Sequence, residues 1–164
     1  MLQCETDEPA ADEGEVDLLK PSKAAVAAAL KSPQTCQRFR AAALKQGCAE
    51  MVDYCCDCAE YEKLFSDADR YIKAQAMHQR YLSSGCDSPV NIPDSQMKAI
   101  HQKINQPTET IFKKSYEECL KVLSDNIYHV YLDMQAAEKN SRAATVAAPV
   151  VRRTSRPGGC CTVS

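Results

Sequence analysis

The sequence predicts an all-α fold, and three observations predict it. Apolar residues recur three and four positions apart over most of the chain. No window alternates long enough to make a useful strand. Ser, Gly and Pro fall at the ends of the apolar-periodic runs, where helices start and stop. The expected architecture is a helical domain over residues 21–138, of roughly eight or nine helices, between an acidic N-terminal tail (1–20) and a basic C-terminal tail (139–164).

Seven acidic residues and no basic one lie between Glu5 and Asp17. With Pro9, Gly14 and no apolar period, this stretch is expected to be disordered. Ser22 is placed to cap a first alanine-rich helix, AAVAAALK, and Ser32-Pro33 opens a second, QTCQRFRAAALKQ. Gly47 closes the second as its left-handed C-terminal residue. A third helix, EMVDYCCDCAEYEKLF, puts Met51, Tyr54, Cys55, Cys58, Tyr61 and Phe65 on one face. Ser66 caps a long fourth helix, DADRYIKAQAMHQRYLSS, that ends at Gly85. The loop CDSPVNIP follows, and Asp94 is expected to cap SQMKAIHQKI. Beyond Pro107, TETIFKKSYEECLKVLSD carries a stripe of Ile111, Phe112, Tyr116, Cys119, Leu120 and Leu123. NIYHVYLDMQAAEK makes the last helix, and a flexible tail starts at about Asn140.

Net charge is −2, so nothing in the total suggests nucleic acid as a partner. The ten cysteines do not read as a disulfide framework, because no apolar signal-peptide run accompanies the acidic start. Cytosolic synthesis and reduced thiols are expected. No stretch approaches the roughly 20 apolar residues that cross a bilayer.

The sharpest local motif is CCDC, in which Cys55 and Cys58 form a C-x-x-C. They lie one turn apart on an apolar helix face, where free cysteine acts as a small hydrophobe. His78, His101 and His129 show no metal-type pairing with them, and no metal or other cofactor is expected. A thiol-metal or redox protein built on this helix is the minor alternative. No G-x-S-x-G, H-E-x-x-H or phosphate-gripping glycine loop is present, so no catalytic residue is assigned and activity is expected to reside in a binding surface.

One loop stands out. In GCDSPVNIPDS, prolines restrict the backbone on both sides of Asn91, which sits between two apolar residues. Asn91 either caps its own turn or is presented to a partner in a fixed shape.

Several spaced segments carry a family resemblance: Phe39-Arg-Ala, Cys58-Ala-Glu-Tyr, His78-Gln-Arg-Tyr-Leu, Val90-Asn-Ile-Pro, Pro107-Thr-Glu-Thr-Ile-Phe and Tyr128-His-Val-Tyr-Leu. In order and spacing the chain resembles a regulator-of-G-protein-signalling (RGS) domain from about Ala24 to Asp133. The resemblance implies a two-lobed α domain of about nine helices. It also implies binding to the α subunit of heterotrimeric G proteins (Gα) in its GTP-bound or transition state, and acceleration of GTP hydrolysis. Such a domain supplies no nucleophile, base or metal. Three interhelical regions clamp the switch segments so that the subunit's own Gln and Arg act.

Carried over by position, the resemblance implies a Gα-binding surface of Glu50, Met51, Asn91, Val122, Asn126, Ile127 and Val130. Asn91 falls where the family inserts an asparagine beside the catalytic Gln of Gα, and Glu50 matches an acidic contact. Other positions depart from the family pattern. Met51 replaces a second contact asparagine, Asn126 an aspartate that receives a switch threonine, and Val130 the arginine that braces that aspartate. Ile127 stands for a serine, Val122 for a leucine, Gly47-Cys48 for an aromatic-serine pair, and Cys55 for a core tryptophan. The alternative reading is therefore an RGS-homology binding module with weak or no GTPase acceleration.

The segment CTVS fits a C-a-a-X pattern, with Cys161 as prenyl acceptor and Ser164 favouring farnesyl. One prenyl chain holds a membrane only marginally, so a second signal is expected. Cys160 offers a palmitoylation site, and Arg152, Arg153 and Arg156 offer charge toward an anionic leaflet. Ser155 reads as a phosphorylation site that would subtract from that charge. These features predict the cytoplasmic face of a membrane, the plasma membrane first.

Overall fold

The computed structural model describes the backbone of residues 20–147 and side chains as far as Ser141. The acidic segment 1–19 and the positions Ser155, Cys160 and Cys161 lie outside the described residues. Within them are seven α-helices, one π-helical turn and no strand. In chain order they are α1 (Lys23–Lys31), α2 (Pro33–Lys45), α3 (Ala49–Tyr61), α4 (Asp67–Met77) with a π turn (His78–Leu82), α5 (Asp94–Lys103), α6 (Lys113–Asn126) and α7 (Tyr128–Ala147).

Sequence punctuation fixes several of these limits. The Ser22 hydroxyl accepts from the Ala25 amide at 3.0 Å, and Ser66 accepts from Asp69 at 3.4 Å. Gly47 and Gly85 take φ of +69° and +75°, as left-handed residues after helix ends. Gly47 completes a Schellman turn: its amide donates to Leu44 O at 3.1 Å and that of Cys48 to Ala43 O at 3.0 Å.

Four expectations need correction. Asp94 is the first helical residue of α5 and not its cap. Pro93 holds the cap position at φ −57°, ψ 139° without a side-chain bond, and its carbonyl receives Gln96 and Met97. Phe65 is 95% exposed, because α3 stops at Tyr61 and the chain turns before it; half-buried Leu64 packs on the core instead. Residues 108–112 form turns with i→i+3 bonds (Ile111 N to Thr108 O, Lys113 N to Thr110 O), so α6 starts only at Lys113. Lastly, α7 runs on through residues 139–147, where the sequence reading starts a flexible tail. This stretch, KNSRAATVA, carries three alanines, and Gly and Pro are absent until Pro149. The helix count among the described residues is thus below the eight or nine expected.

Helices α3 and α6 pack on each other at the centre: α1 packs on both, and α2 and α4 pack on α3. Helix α7 lies against α2 and α6. Two aromatic clusters anchor the two ends. Tyr54 meets Tyr81 edge-on at 5.3 Å, and Phe112 packs edge-on to Tyr61 at 5.0 Å. Phe39 packs on Tyr131 at 5.1 Å and on Tyr128 at 6.1 Å. Such ring pairs add about 0.5–1.5 kcal/mol each beyond their burial. Cys55, Cys58 and Cys119 are buried among them as small apolar groups.

Among the described residues no helix is long and apolar enough to cross a membrane.

Candidate functional site

The loop between the π turn and α5 is built to hold one residue outward. Val90 and Ile92 are buried core members, while Asn91 between them is exposed. The Ile92 amide donates to Val90 O at 3.1 Å, which makes Asn91 the central residue of a γ-turn. Its φ is negative, so the turn is of the common inverse kind. The Asn91 side chain makes no hydrogen bond to any described residue. The turn is closed by backbone and not by the Asn91 side chain, which stays exposed.

A chain of contacts leads from this turn into the core. The Val90 amide donates to Tyr81 O at 3.1 Å. Tyr81 lies in the π turn, whose ring closes through Ser83 N to His78 O at 2.9 Å. Two consecutive residues of this turn, Tyr81 and Leu82, are buried. The Tyr81 hydroxyl donates to Asp57 Oδ2 at 2.5 Å. Burial first, and then the bond to Asp57, hold this phenol well above the usual tyrosine range.

Asp57 is in turn held by Lys73 Nζ at 2.6 Å and by Arg80 at 3.6 Å. Arg80 also reaches Asp53 at 3.9 Å, and Arg40 grips Asp53 in two bonds of 2.6 and 2.9 Å. This charge network spans α2, α3, α4 and the π turn, so the loop is referenced to three helices at once. Networks of this kind hold geometry better than isolated surface pairs.

The α2–α3 corner is the second region. Cys48 caps α3 without a side-chain cap bond, and its thiol points back to Ala43 O at 3.6 Å. Burial and the neighbouring Glu50 push that thiol up. Glu50 is half-buried in the first turn of α3, where a carboxylate is favoured by the helix dipole. Met51 is only 5% exposed and belongs to the core.

The third region is the α6–α7 junction. Asn126 is exposed, and its amide donates to Val122 O at 3.1 Å, one turn back in its own helix. That bond orients the side chain and leaves its carbonyl oxygen to accept. Ile127 between the helices is 2% exposed, and Val122 and Val130 are half-buried against the core. Met51 and Ile127 therefore do not belong to an exposed contact surface. An apolar side chain at a position that faces both core and solvent takes the core side, because burial is favourable by about 25 cal/mol per Å².

The core joins the three regions: Met51, Val90, Ile92 and Ile127 are members of one cluster. Residues 26–136 match the family model for the regulator of G protein signaling domain. The chain belongs to the RGS family. No curated protein sequence matches the chain. An RGS domain is a regulator of G-protein signalling, and the family generally binds Gα subunits.

In this RGS domain, Asn91 and Asn126 are the exposed polar residues of the positions implied by resemblance, with Glu50 half-exposed beside Met51. Among the described residues no cluster of three or more His, Cys, Asp or Glu is placed to hold a metal. Sequence reasoning missed the Tyr81–Asp57 buttress, since nothing local marks a bond across 24 residues.

Proposed function

We propose that this RGS domain binds Gα in its transition-state arrangement and accelerates GTP hydrolysis, attenuating signalling. The observation that carries the reading is Asn91, held at the apex of a γ-turn between two buried residues with its amide unengaged. A group fixed in advance costs little reorganisation when the transition state forms, which is how a binding surface becomes catalytic for its partner. Asn126 keeps an oriented acceptor even without the Asp–Arg brace of the family pattern, because its own helix supplies the orientation. A neutral acceptor contributes about 1 kcal/mol where a charged one contributes about 1.5–3. Acceleration is accordingly about tenfold weaker than an aspartate at this position would give.

Single-turnover GTP hydrolysis by a panel of Gα subunits, with and without the full chain, tests this reading. A rate increase with at least one subunit is the expected result. If every subunit binds in the GDP–aluminium fluoride state and none is accelerated, the domain is the alternative, a binding module of the same fold.

The same reading puts the domain at the cytoplasmic face of a membrane. Its support is the CCTVS sequence with Cys161 for a prenyl group and Cys160 for a palmitoyl group, beside Arg152, Arg153 and Arg156. Phosphorylation of Ser155 would weaken the charge contribution. Incorporation of an isoprenoid analogue in cells, lost in Cys161→Ser, is the expected outcome. Unchanged membrane partitioning of that variant counts against the anchor.

A further inference from the structure

Two half-buried cysteines from different helices meet outside the site just described. Cys36 of α2 and Cys56 of α3 bring their sulfurs to 3.3 Å in a thiol hydrogen bond. Both line a cavity of about 730 Å³ walled by Ala27, Pro33, Ala59 and Tyr116. Exposed Lys31, Glu62 and Lys63 form its rim, so small solutes have access. The other cysteines of the CCDC run, Cys55 and Cys58, are buried and have no such opening.

We propose that Cys36 and Cys56 are a redox-active dithiol that a hydroperoxide converts to a disulfide linking α2 to α3. The Cys36 sulfur attacks one peroxide oxygen, the O–O bond breaks, and a sulfenic acid and one water result. The Cys56 sulfur then attacks the Cys36 sulfur; the departing hydroxide takes the Cys56 proton and leaves as a second water. Two thiols and one hydrogen peroxide give one disulfide and two waters, and the two electrons lost by the sulfurs reduce the peroxide. Burial and the bond with Cys36 push the Cys56 thiol up to about 12. That residue therefore keeps its proton until the second step. The sulfurs need to close from 3.3 Å to about 2.05 Å, a side-chain movement between helices already packed together.

The bond closes a loop over the Schellman turn at Gly47 and Cys48. Its consequence is a stiffer α2–α3 corner in the oxidised protein. The test treats the reduced full chain with one equivalent of hydrogen peroxide, blocks remaining thiols, and maps the peptides without reduction. The expected result is a loss of two hydrogens, a Cys36–Cys56 crosslink reversed by dithiothreitol, and a higher unfolding midpoint in the oxidised form. Cys36→Ser and Cys56→Ser should each lose both the crosslink and the midpoint shift, with Cys36→Ala in reserve if the serine variant misfolds. The proposal is overturned if the wild-type chain links other cysteines while Cys36 and Cys56 stay alkylatable. Sulfinic acid at Cys36 without a crosslink overturns it equally.

Discussion

The amide of Val90 donates to the carbonyl of Tyr81 at 3.1 Å, and this bond fastens the presenting loop to the π turn. The Tyr81 side chain continues the path to Asp57 and the charge network on α3. Position and chemistry are thereby separated. Residues 81 and 90 fix where the loop stands, and Asn91 is the residue that it exposes.

Asn91→Ala is expected to leave folding stability within about 0.5 kcal/mol, because the side chain is exposed and makes no bond to the described residues. It is expected to lower Gα GTPase acceleration by about ten- to a hundredfold, the worth of one or two well-placed hydrogen bonds. Urea unfolding and single-turnover hydrolysis on the same preparations give the comparison. A large stability loss would mean that the residue serves the turn and not a partner.

Tyr81→Phe keeps the ring against Tyr54 and removes the hydroxyl that donates to Asp57. A stability loss of about 1.5–3 kcal/mol is expected from this bond to a carboxylate. GTPase acceleration should fall with it, since the loop hangs from this residue. Retained acceleration in a destabilised variant would detach the buttress from the site.

Asn126→Asp combined with Val130→Arg is expected to raise acceleration by about tenfold. The pair replaces the amide bond to Val122 O with a charged acceptor braced from the first turn of α7. Met51→Asn belongs apart from them. Met51 is 5% exposed, and an amide buried there is expected to cost about 1–3 kcal/mol of stability. Adding it to the pair should lower the unfolding midpoint, read by thermal melts of the double and triple variants.

His78 packs edge-on against His101 at 4.7 Å, and its Nε2 is buried without a hydrogen-bond partner. Burial, and then the neighbouring His101, lower its pKa. A depressed histidine favours the neutral ring in the folded state, so this contribution is intact well above the unfolded value of about 6.5. As pH falls through that value the unfolded chain takes up the proton first, and stability drops. The unfolding midpoint is expected to be lower at about pH 5.5 than at about pH 7.5, and His78→Gln should narrow the gap. An unchanged gap would assign the pH dependence to other groups.

The helices were legible wherever a residue type does one job. Ser22, Ser66, Gly47 and Gly85 cap or end helices for reasons that hold in any sequence. Asp94 misled because a proline just before it already had the extended backbone of a cap. Phe65 misled because periodicity does not announce where a helix stops. The outward position of Asn91 was readable from its neighbours, two apolar residues between two prolines. The burial of Met51 followed from its helix face, whereas that of Ile127 did not, since it stands between α6 and α7 where the period breaks. The bonds Tyr81–Asp57 and Cys36–Cys56 cross 24 and 20 residues, and only the packed helices bring those partners together.

The π turn at His78–Leu82 makes the bearing of Asn91 a matter of residue count. Its hydrogen-bonded ring holds one residue more than an α turn, and each helical residue advances the chain by about 100°. Removing any one residue from this turn would let an ordinary α-helix close. Everything after it would then swing by about that angle, carrying Asn91 off its present bearing. Length at this point is under the same constraint as chemistry, and a single-residue deletion is a harsher change here than most substitutions.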